Sequence, residues 1–226
     1  MRAQDLINLQ KSRRRNKMKV LELFAGSRSI GRVADELGYD VFSVDIKDFD
    51  GINLVKDIEF LTVQDLPFKP DVIWASPPCT TYSIMAISHH RDGQKPKTDF
   101  ADKSDKLIKN VLRLINEIGC DYYIENPMGM LRKMDFMRGL NRATITYCSY
   151  GDIRMKCTDI WSNNIYDMFN LDGWKPRPMC FNGNKKCHHE AAPRGSRTGT
   201  QGIKGNYERS KIPKELCLDI LKASKP

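Results

Sequence analysis

Short apolar runs alternate along this chain with longer segments whose apolar residues recur at helical spacing, starting near residue 19. The short runs predict strands and the longer amphipathic segments predict helices. The predicted strands lie at 20–24, 41–44, 71–75, 121–124, 142–147 and 159–161, and the predicted helices at 29–37, 104–118 and 212–222. Strands that alternate with helices in short units predict an α/β fold with a doubly wound, mostly parallel sheet.

Four regions of the chain differ in their composition. Residues 1–17 are polar and basic, and we expect them to form an appended N-terminal arm. Residues 18–162 carry the alternating pattern and predict the main domain. Residues 163–208 lose periodicity and collect Gly, Pro, Asn, Lys and Arg, which predicts a small irregular segment. Residues 209–226 contain the last helix, which we expect to pack back on the main domain.

The charge and cysteine content narrow the class of protein. The 226 residues carry a net charge of +9, which favours a polyanionic partner, although ordinary solubility explains it equally well. The seven cysteines show no disulfide-like framework, and neither a secretory segment nor a long apolar run is found. This combination predicts a protein of the reducing cytoplasm without a membrane segment, and we expect a monomer.

A cysteine and a glutamate follow two of the predicted strands. Cys79 ends the turn Ser76-Pro77-Pro78-Cys79 after the strand at 71–75, and Glu125 follows the strand at 121–124. Because parallel strands place their carboxyl ends at one edge of the sheet, we expect the two side chains to lie together at a ligand-binding edge. A thiolate beside a carboxylic acid suits attack on an electron-poor ring. A structural cysteine in a proline-fixed turn is the alternative.

The turn after the first strand has features of a cofactor site. It contains glycine and leads into a helix whose backbone N–H groups can face a carboxylate. Asp45 stands at the end of the second predicted strand, where a ribose hydroxyl could be bound, and Asp57 in the looser region that follows could reach an adenine edge. The pattern indicates a nucleoside-bearing cofactor without phosphates, and a tight turn with two solvated aspartates is the alternative. The residues concerned are Phe24, Ala25, Gly26, Ser27, Asp45, Ile46, Asp57 and Ile58.

Together these residues resemble the DNA (cytosine-5) methyltransferase family, and the short form resembles its phage-encoded members. The similarity covers roughly residues 19–162 and 205–224, in family order. It rests on Phe24-Ala25-Gly26, Pro78-Cys79, Glu125-Asn126, Tyr150-Gly151 with Arg154 and Lys156, and Ser210-Lys-Ile-Pro213. Arg28 and Ser29 depart from the family pattern, which usually has glycines there, and Pro127 replaces the usual valine.

The resemblance implies a Rossmann-like class I methyltransferase fold, S-adenosylmethionine as cofactor and a flipped cytosine in double-stranded DNA as substrate. Cys79 would add to carbon 6 of the ring, with its pKa lowered by nearby positive charge. Glu125 would hold N3 protonated, Asn126 would fix loop geometry, and Arg154 would contact the base carbonyl or a phosphate. Pro77 would join the cofactor-binding residues. The implied location is the cytoplasm of a bacterial or phage-infected cell.

Two segments are candidates for DNA contact. Residues 80–103 follow the nucleophile and predict a mobile loop that closes over DNA, whereas a disordered connection is the alternative. Residues 163–208 predict the target-recognition segment or a solvated basic loop. The expected DNA-contacting residues are Ser83, Lys156, Arg194, Arg197 and Gln201. Within this segment Cys180, Cys187 and His188 could bind zinc, but the spacing lacks a Cys-x-x-Cys pair and an obvious fourth ligand.

Three alternatives to cytosine-5 methylation of DNA remain open at this stage. Ser76-Pro-Pro-Cys79 also resembles the signature of amino-methyltransferases that act on exocyclic nitrogens, although these have an aromatic residue at the fourth position. The same carbon chemistry could act on RNA. A non-catalytic relative could keep the fold for binding alone, which the presence of Cys79 and Glu125 disfavours.

Overall fold

The structure is a computed structural model that describes residues 17–181, 183–190 and 203–225. The predicted arm at residues 1–17 therefore lies outside the described residues, apart from Lys17. The strands are β1 (Lys19–Leu23), β2 (Asp40–Asp45), β3 (Leu54–Val55), β4 (Val72–Ala75), β5 (Arg91–Asp92), β6 (Lys95–Pro96), β7 (Asp121–Pro127), β8 (Arg142–Thr146) and β9 (Cys157–Ser162). The helices are α1 (Ser29–Glu36), α2 (Ile87–His90), α3 (Asp99–Ile118), α4 (Asn206–Ser210) and α5 (Lys214–Ala223).

Seven strands form one sheet in the order β3-β2-β1-β4-β7-β9-β8. The pairs from β3 to β7 are all parallel, whereas β9 runs antiparallel to both β7 and β8. The chain moves outward from β1 in one direction and from β4 in the other. The predicted doubly wound, mostly parallel sheet is confirmed, and its topological switch point lies between β1 and β4, where such sheets bind ligands.

Helices cover both faces of this sheet, because each strand buries side chains on both sides. On one face Leu107, Val111 and Leu114 of α3 pack against the sheet core. On the other face α1 and α5 bury residues such as Ile30 and Leu216 in a second core. Trp174, from the irregular segment, is also buried in this second core.

The long helix α3 begins five residues before the predicted start at residue 104. The side chain of Thr98 accepts a hydrogen bond from the backbone N–H of Ala101, and Asp99 and Asp102 stand in the first turn, where carboxylates are favoured. Gly119 ends the helix with a positive φ of 66°, as predicted. The predicted loop at 80–103 is correspondingly shorter and contains a turn at Thr80–Tyr82, the short helix α2 and the β5–β6 hairpin.

Two other predicted boundaries were wrong in a way that matters for the site. The strand predicted at 121–124 continues through Pro127, because its last residues pair with β9. The strand predicted at 142–147 ends at Thr146, and Tyr147 begins a helical turn, Tyr147–Tyr150.

Among the helices of the described ranges, we find none with the length and hydrophobicity needed to span a bilayer.

Candidate active site

The sheet register aligns the ends of four parallel strands. Leu23 of β1 pairs with Val44 of β2 and with Ala75 of β4, and Ala75 pairs in turn with Ile124 of β7. The residues that follow this row are Asp45, Phe24, Ser76 and Glu125. The edge predicted from the sequence therefore carries the cofactor-type turn, the Ser-Pro-Pro-Cys turn and the glutamate side by side.

The turn that carries Cys79 is held by the neighbouring strand. The side-chain amide of Asn126 donates a buried hydrogen bond of 2.9 Å to the carbonyl oxygen of Pro77. A Cβ added to Gly129 would lie 2.5 Å from the carbonyl oxygen of Tyr82, so the two loops approach as closely as a glycine permits. These contacts support the expectation that Asn126 fixes loop geometry.

Glu125 is buried, with 4% of its surface exposed, and has two polar neighbours. The hydroxyl of Tyr147 donates a hydrogen bond of 2.8 Å to Oε1 of Glu125, and Nζ of Lys156 lies 3.5 Å from the same oxygen. Sequence reasoning missed Tyr147, which it placed in a strand. A Tyr directly before a Cys at the end of an apolar run gives no signal that its hydroxyl reaches a carboxylate on another strand.

Cys79 is a half-buried thiol in this arrangement. Burial raises its pKa, and the negative charge of Glu125 raises it further, while Lys156 and Arg209 oppose the shift. The expectation of a depressed pKa is therefore wrong for the protein without its substrate, because desolvation and a neighbouring carboxylate outweigh the nearby cations. Without substrate, the thiol of Cys79 is therefore protonated at neutral pH.

Arg154 lies beside this cluster and faces the C-terminal region. It is 3% exposed, pairs with Asp152, and donates hydrogen bonds to the carbonyl oxygens of Arg209 (3.1 Å) and Lys211 (3.0 Å). Its guanidinium is thus occupied by structural contacts, which does not favour the expected contact with a base or phosphate. Lys156, which approaches Glu125, is better placed than Arg154 to contact a substrate at this site.

At the cofactor edge Asp45 organises the turn after β1. Its carboxylate accepts hydrogen bonds from the backbone N–H groups of Gly26 (3.0 Å) and Lys47 (2.9 Å). Phe24 and Gly26 adopt positive φ values of 57° and 45° within this turn. Ile46, directly after Asp45, leaves 57% of its surface exposed, so an apolar side chain lies open at this edge.

The residues that depart from the family pattern have partners of their own. Arg28, also at positive φ, donates hydrogen bonds to the hydroxyl of Ser43 (3.1 Å) and to Asp35 (3.0 Å). Ser29 Oγ accepts a hydrogen bond of 3.1 Å from the backbone N–H of Ile212. The segment before α5, which includes the stretch Ser210-Lys-Ile-Pro213, therefore contacts the first residue of α1, directly after the turn that follows β1.

Asp57 and Ile58 lie farther along the same side of the sheet. Asp57 accepts a hydrogen bond from the backbone N–H of Glu59 (3.1 Å) and pairs with Lys103 at 2.5 Å. The side chain of Ile58 is buried in the core, at 1% exposed. The carbonyl oxygen of Ile58 accepts hydrogen bonds from the side-chain amide of Asn110 (2.6 Å) and from the N–H of Leu61 (3.2 Å), so neither this oxygen nor the side chain faces a ligand freely.

The segment after Cys79 is anchored by a buried ion pair. Arg91 pairs with Asp105 at 2.6 Å and donates a hydrogen bond to the carbonyl oxygen of Thr81, and the hydroxyl of Tyr82 also donates to Asp105. Ser83 follows this anchor and is half-buried. Beyond it, Ile84 is 70% exposed, so the segment has a fixed base and a solvent-facing tip.

The other predicted DNA-contacting residues, Arg194, Arg197 and Gln201, lie outside the described residues. The expected zinc ligands need a correction. His188 donates a hydrogen bond from Nε2 to the carbonyl oxygen of Asp152 (3.1 Å), whereas His189 lies with Cys180, Cys187 and the sequence-distant Cys148. The adjacent histidine, rather than the predicted one, therefore joins the cysteines.

Comparison with known proteins gives a consistent result. A sequence model described as C-5 cytosine-specific DNA methylase matches residues 18–146. A "Probable DNA (cytosine-5)-methyltransferase" of Frog virus 3 (isolate Goorha) is 26% identical over 223 residues, which covers 90% of this chain and 99% of the viral protein. The residues matched by the sequence model include Cys79 and Glu125.

Solved structures with a similar arrangement of elements include two methyltransferases. Magnesium protoporphyrin IX methyltransferase from Synechocystis PCC 6803 has a TM-score of 0.39 and 12% identity, over 65% of this chain and 69% of that chain. The glycopeptide N-methyltransferase MtfA with S-adenosylmethionine has a TM-score of 0.40 and 12% identity, over 65% of this chain and 86% of that chain. Scores this low support no conclusion about this protein.

Proposed function

This chain belongs to the C-5 cytosine-specific DNA methylase family, whose sequence model matches more than half of it, and we propose how its residues carry out the family's reaction. The protein is a DNA (cytosine-5)-methyltransferase that transfers a methyl group from S-adenosylmethionine to carbon 5 of cytosine. The proposal concerns the roles of individual side chains and the form of the DNA.

Cys79 is the proposed nucleophile. Carbon 5 of cytosine is too weak a nucleophile to react unaided, so the sulfur of Cys79 bonds to carbon 6 and the ring electrons move to carbon 5. S-adenosylmethionine, when bound, supplies the electrophilic methyl group that carbon 5 accepts. Loss of the proton from carbon 5 and cleavage of the bond between sulfur and carbon 6 then restore the thiolate.

Glu125 is the proposed proton partner of N3 of the ring. A proton held at N3 prevents negative charge from accumulating on the base while Cys79 adds. The hydroxyl of Tyr147 and the ammonium of Lys156 both approach Oε1 of Glu125, which supports a fixed orientation of the carboxylate. A base that carries a proton at N3 and is hydrogen-bonded to Glu125 would offset the carboxylate charge that raises the pKa of Cys79, which would favour the thiolate.

The residues at the turn after β1 fit the cofactor. A Cβ added to Gly26 would come no closer than 3.9 Å to Phe24 O and 4.0 Å to Asp45 Oδ2, so the backbone there is open to close approach. Asp45 would bind the ribose hydroxyls, and the exposed side chain of Ile46 would pack on the adenine. Phe24, Ala25, Ser27, Asp57, Ile58 and Pro77 complete the proposed cofactor site.

The proposed substrate is double-stranded DNA with the target cytosine flipped out of the helix, because a base within the stack cannot reach a half-buried thiol. Ser83 and the exposed tip that follows it would face the DNA, together with Lys156 and the basic segment at 163–208. We also propose that the enzyme acts as a monomer, since the turn after β1, the turn with Cys79 and Glu125 all follow strands of one sheet.

The seven cysteines, all free and all in the described ranges, support action in a reducing compartment such as the cytoplasm.

The alignment of Cys79 and Glu125 at one sheet edge is the observation that carries this proposal. Its test uses a pool of duplexes with 5-fluorocytosine at randomised positions, because fluorine cannot leave carbon 5 as a proton does. With cofactor present, a denaturing gel should show a covalent protein–DNA band that Cys79→Ser abolishes. Cys120→Ser, a partly buried cysteine at the opposite end of β7, should keep the band. Methyl transfer that survives Cys79→Ser without a covalent species would refute the assignment, and stronger trapping on single strands or RNA would refute the duplex.

A further inference from the structure

Three cysteines and a histidine converge at a place that the methylation reaction does not use. Cys148 lies in the turn after β8, and Cys180, Cys187 and His189 come from the irregular segment that follows β9. One ligand atom from each residue lies within 4.8 Å of every other. The cluster therefore joins two distant parts of the chain, because Cys148 stands 32 residues before Cys180.

The donor set matches one class of ion. Three thiolates and one imidazole are the ligands of a closed, tetrahedral structural zinc site, and they disfavour magnesium and calcium, which prefer oxygen. With zinc–sulfur bonds of about 2.3 Å, tetrahedral ligands lie about 3.8 Å apart. The four atoms are therefore within about 1 Å of that spacing, a shift that side-chain rotations can supply.

We propose that Cys148, Cys180, Cys187 and His189 bind one zinc ion. The three thiols release their protons to solvent as they bind, and the neutral imidazole keeps its remaining ring proton. The site would then carry a net negative charge, and two exposed cations, Lys185 and Lys186, stand in the sequence between its ligands Cys180 and Cys187.

Hydrogen bonds from protein groups bring the backbone around the ligands together. The N–H of Cys180 donates to Thr146 Oγ1 (2.9 Å), and the side-chain amide of Asn184 donates to the sulfur of Cys180 (3.3 Å). Asn184 also accepts from the N–H of Cys187 (3.1 Å), which closes the loop between the two cysteines. Hydrogen bonds from protein groups to ligand sulfurs and to the ligand loop are typical of the surroundings of metal ligands.

A disulfide explains this group less well than a metal. Pairing any two of the three cysteines would leave the third thiol and His189 at the same point without a role. Cys148 is buried, at 3% exposed. Packing of this side chain does not require two further thiols and an imidazole beside it. Three thiols and one imidazole gathered at one point match the ligand set of a structural zinc site.

The ion would link target recognition to the catalytic side chains. Cys148 directly follows Tyr147, whose hydroxyl binds Glu125, and the ligand loop belongs to the segment proposed to contact DNA. Beyond the ligands, the N–H of Glu190 donates to the carbonyl oxygen of Ile153 (2.9 Å), on the turn that precedes Arg154 and Lys156. Zinc would therefore fix the base of the recognition segment against the turn that orients the active site.

The test measures metal in untagged full-length protein purified under reducing conditions, without DNA or cofactor. We expect about one zinc per chain by mass spectrometry of the metal, and the absorption of a tetrahedral thiolate complex after replacement by cobalt. His189→Asn should lose the metal and the cobalt spectrum, whereas His188→Asn, its neighbour, should retain both. Cys148→Ser should lose them and Cys157→Ser should not.

A second measurement uses only the wild-type protein, so it does not depend on whether the variants fold. Chelation of the wild-type protein should speed tryptic cleavage at Lys185 and Lys186 by about 10-fold or more, and added zinc should restore protection, because ligands on both sides close this loop. Wild-type protein that holds no zinc and takes up none when reduced would overturn the proposal. So would a disulfide between two of the cysteines in protein purified under reducing conditions, or equal metal content in His189→Asn and His188→Asn. None of these results bears on the methylation reaction, which is tested separately by trapping.

Discussion

The hydroxyl of Tyr147 donates a 2.8 Å hydrogen bond to Oε1 of Glu125, from a turn that lies across β9 from the glutamate. Both groups are buried, and the pKa of Tyr147 is raised well above its usual value by burial and by the charge of Glu125. The tyrosine therefore stays protonated, and remains a hydrogen-bond donor, at neutral pH. It fixes which oxygen of the carboxylate is available to the substrate.

Replacing Tyr147 with Phe should slow methyl transfer with little effect on binding. Loss of one hydrogen bond to a charged group costs about 1.5 kcal/mol, which corresponds to about a 10-fold lower kcat. Single-turnover transfer of labelled methyl groups measures this, and DNA and cofactor affinities should be unchanged. Tyr150→Phe is the matched control, because its hydroxyl accepts from the N–H of Arg177 instead. An equal loss of rate in both variants would contradict the role of Tyr147.

The charge of Glu125 should control the reactivity of Cys79 in the free enzyme. Burial raises the pKa of Cys79 and Glu125 raises it further, so Glu125→Gln should lower that pKa and speed alkylation at neutral pH. Lys156→Met should have the opposite effect, because Lys156 opposes the shift. Alkylation by iodoacetamide, followed across pH by mass spectrometry of the peptide that contains Cys79, measures both. Equal profiles for the two variants would show that the charges do not reach the thiol.

Replacing Asp45 with Asn should weaken cofactor binding. The amide retains an acceptor for Gly26 or Lys47 but loses the charge that would strengthen a hydrogen bond to the ribose, worth about 1.5–3 kcal/mol, or about 10- to 100-fold in affinity. Calorimetric titration with S-adenosylmethionine measures the change. Asp48→Asn removes an exposed carboxylate three residues away and should leave the affinity within about 2-fold. Unchanged affinity in Asp45→Asn would remove Asp45 from the site.

The buried pair of Arg91 and Asp105 should stabilise the fold strongly. Arg91→Met leaves Asp105 buried with Tyr82 as its remaining donor, and breaking such a pair costs about 3–5 kcal/mol of unfolding free energy. Arg138→Met breaks an exposed pair with Asp135 and should cost less than about 1 kcal/mol. Urea denaturation of both variants gives the comparison. Similar midpoints would show that the pair does not anchor the segment after Cys79.

Glu22 should make the stability of the protein depend on pH near neutrality. Burial raises its pKa from 4.5 to about 7, although it accepts hydrogen bonds from the N–H of Ile30 and the hydroxyl of Ser43. Because the folded pKa is the higher one, its contribution is fully present below pH 4.5 and is lost as pH rises through about 7. Glu22→Gln should gain on the wild type by about 2–3 kcal/mol between pH 5 and pH 8. Denaturation at both pH values tests this, and the exposed Glu36→Gln should show no such gain.

The sequence was sufficient to predict six of the seven strands of the sheet, all but β3, and the edge that carries Cys79, Glu125 and Asp45. Those predictions depend on strand ends, which local hydrophobic patterns locate, and on the rule that parallel strands end on one side. The start of α3 was missed because its first turn is polar, although Thr98 and Asp99 together are a typical helix start.

Contacts between distant segments could not be predicted from local patterns. Arg154 was expected to face the substrate, but its partners are carbonyl oxygens 55 and 57 residues later in the chain. Tyr147 and Cys148 are neighbours in sequence, but each contacts residues far along the chain: Glu125 for Tyr147, and Cys180, Cys187 and His189 for Cys148. The choice of His189 over His188 depends on the direction of two adjacent side chains, which spacing alone does not determine.

The hydrogen bond between Ile212 and Ser29 joins residues that are 183 positions apart. During synthesis, β1 and α1 leave the ribosome long before Ile212 is made, so the turn after β1 lacks this partner for most of translation. Arg154 likewise acquires its carbonyl partners only when residues 209 and 211 have been added. We therefore expect a nascent chain to build much of the sheet before Ile212 can complete the contact beside the proposed cofactor site, and we expect cofactor binding to arise late in synthesis.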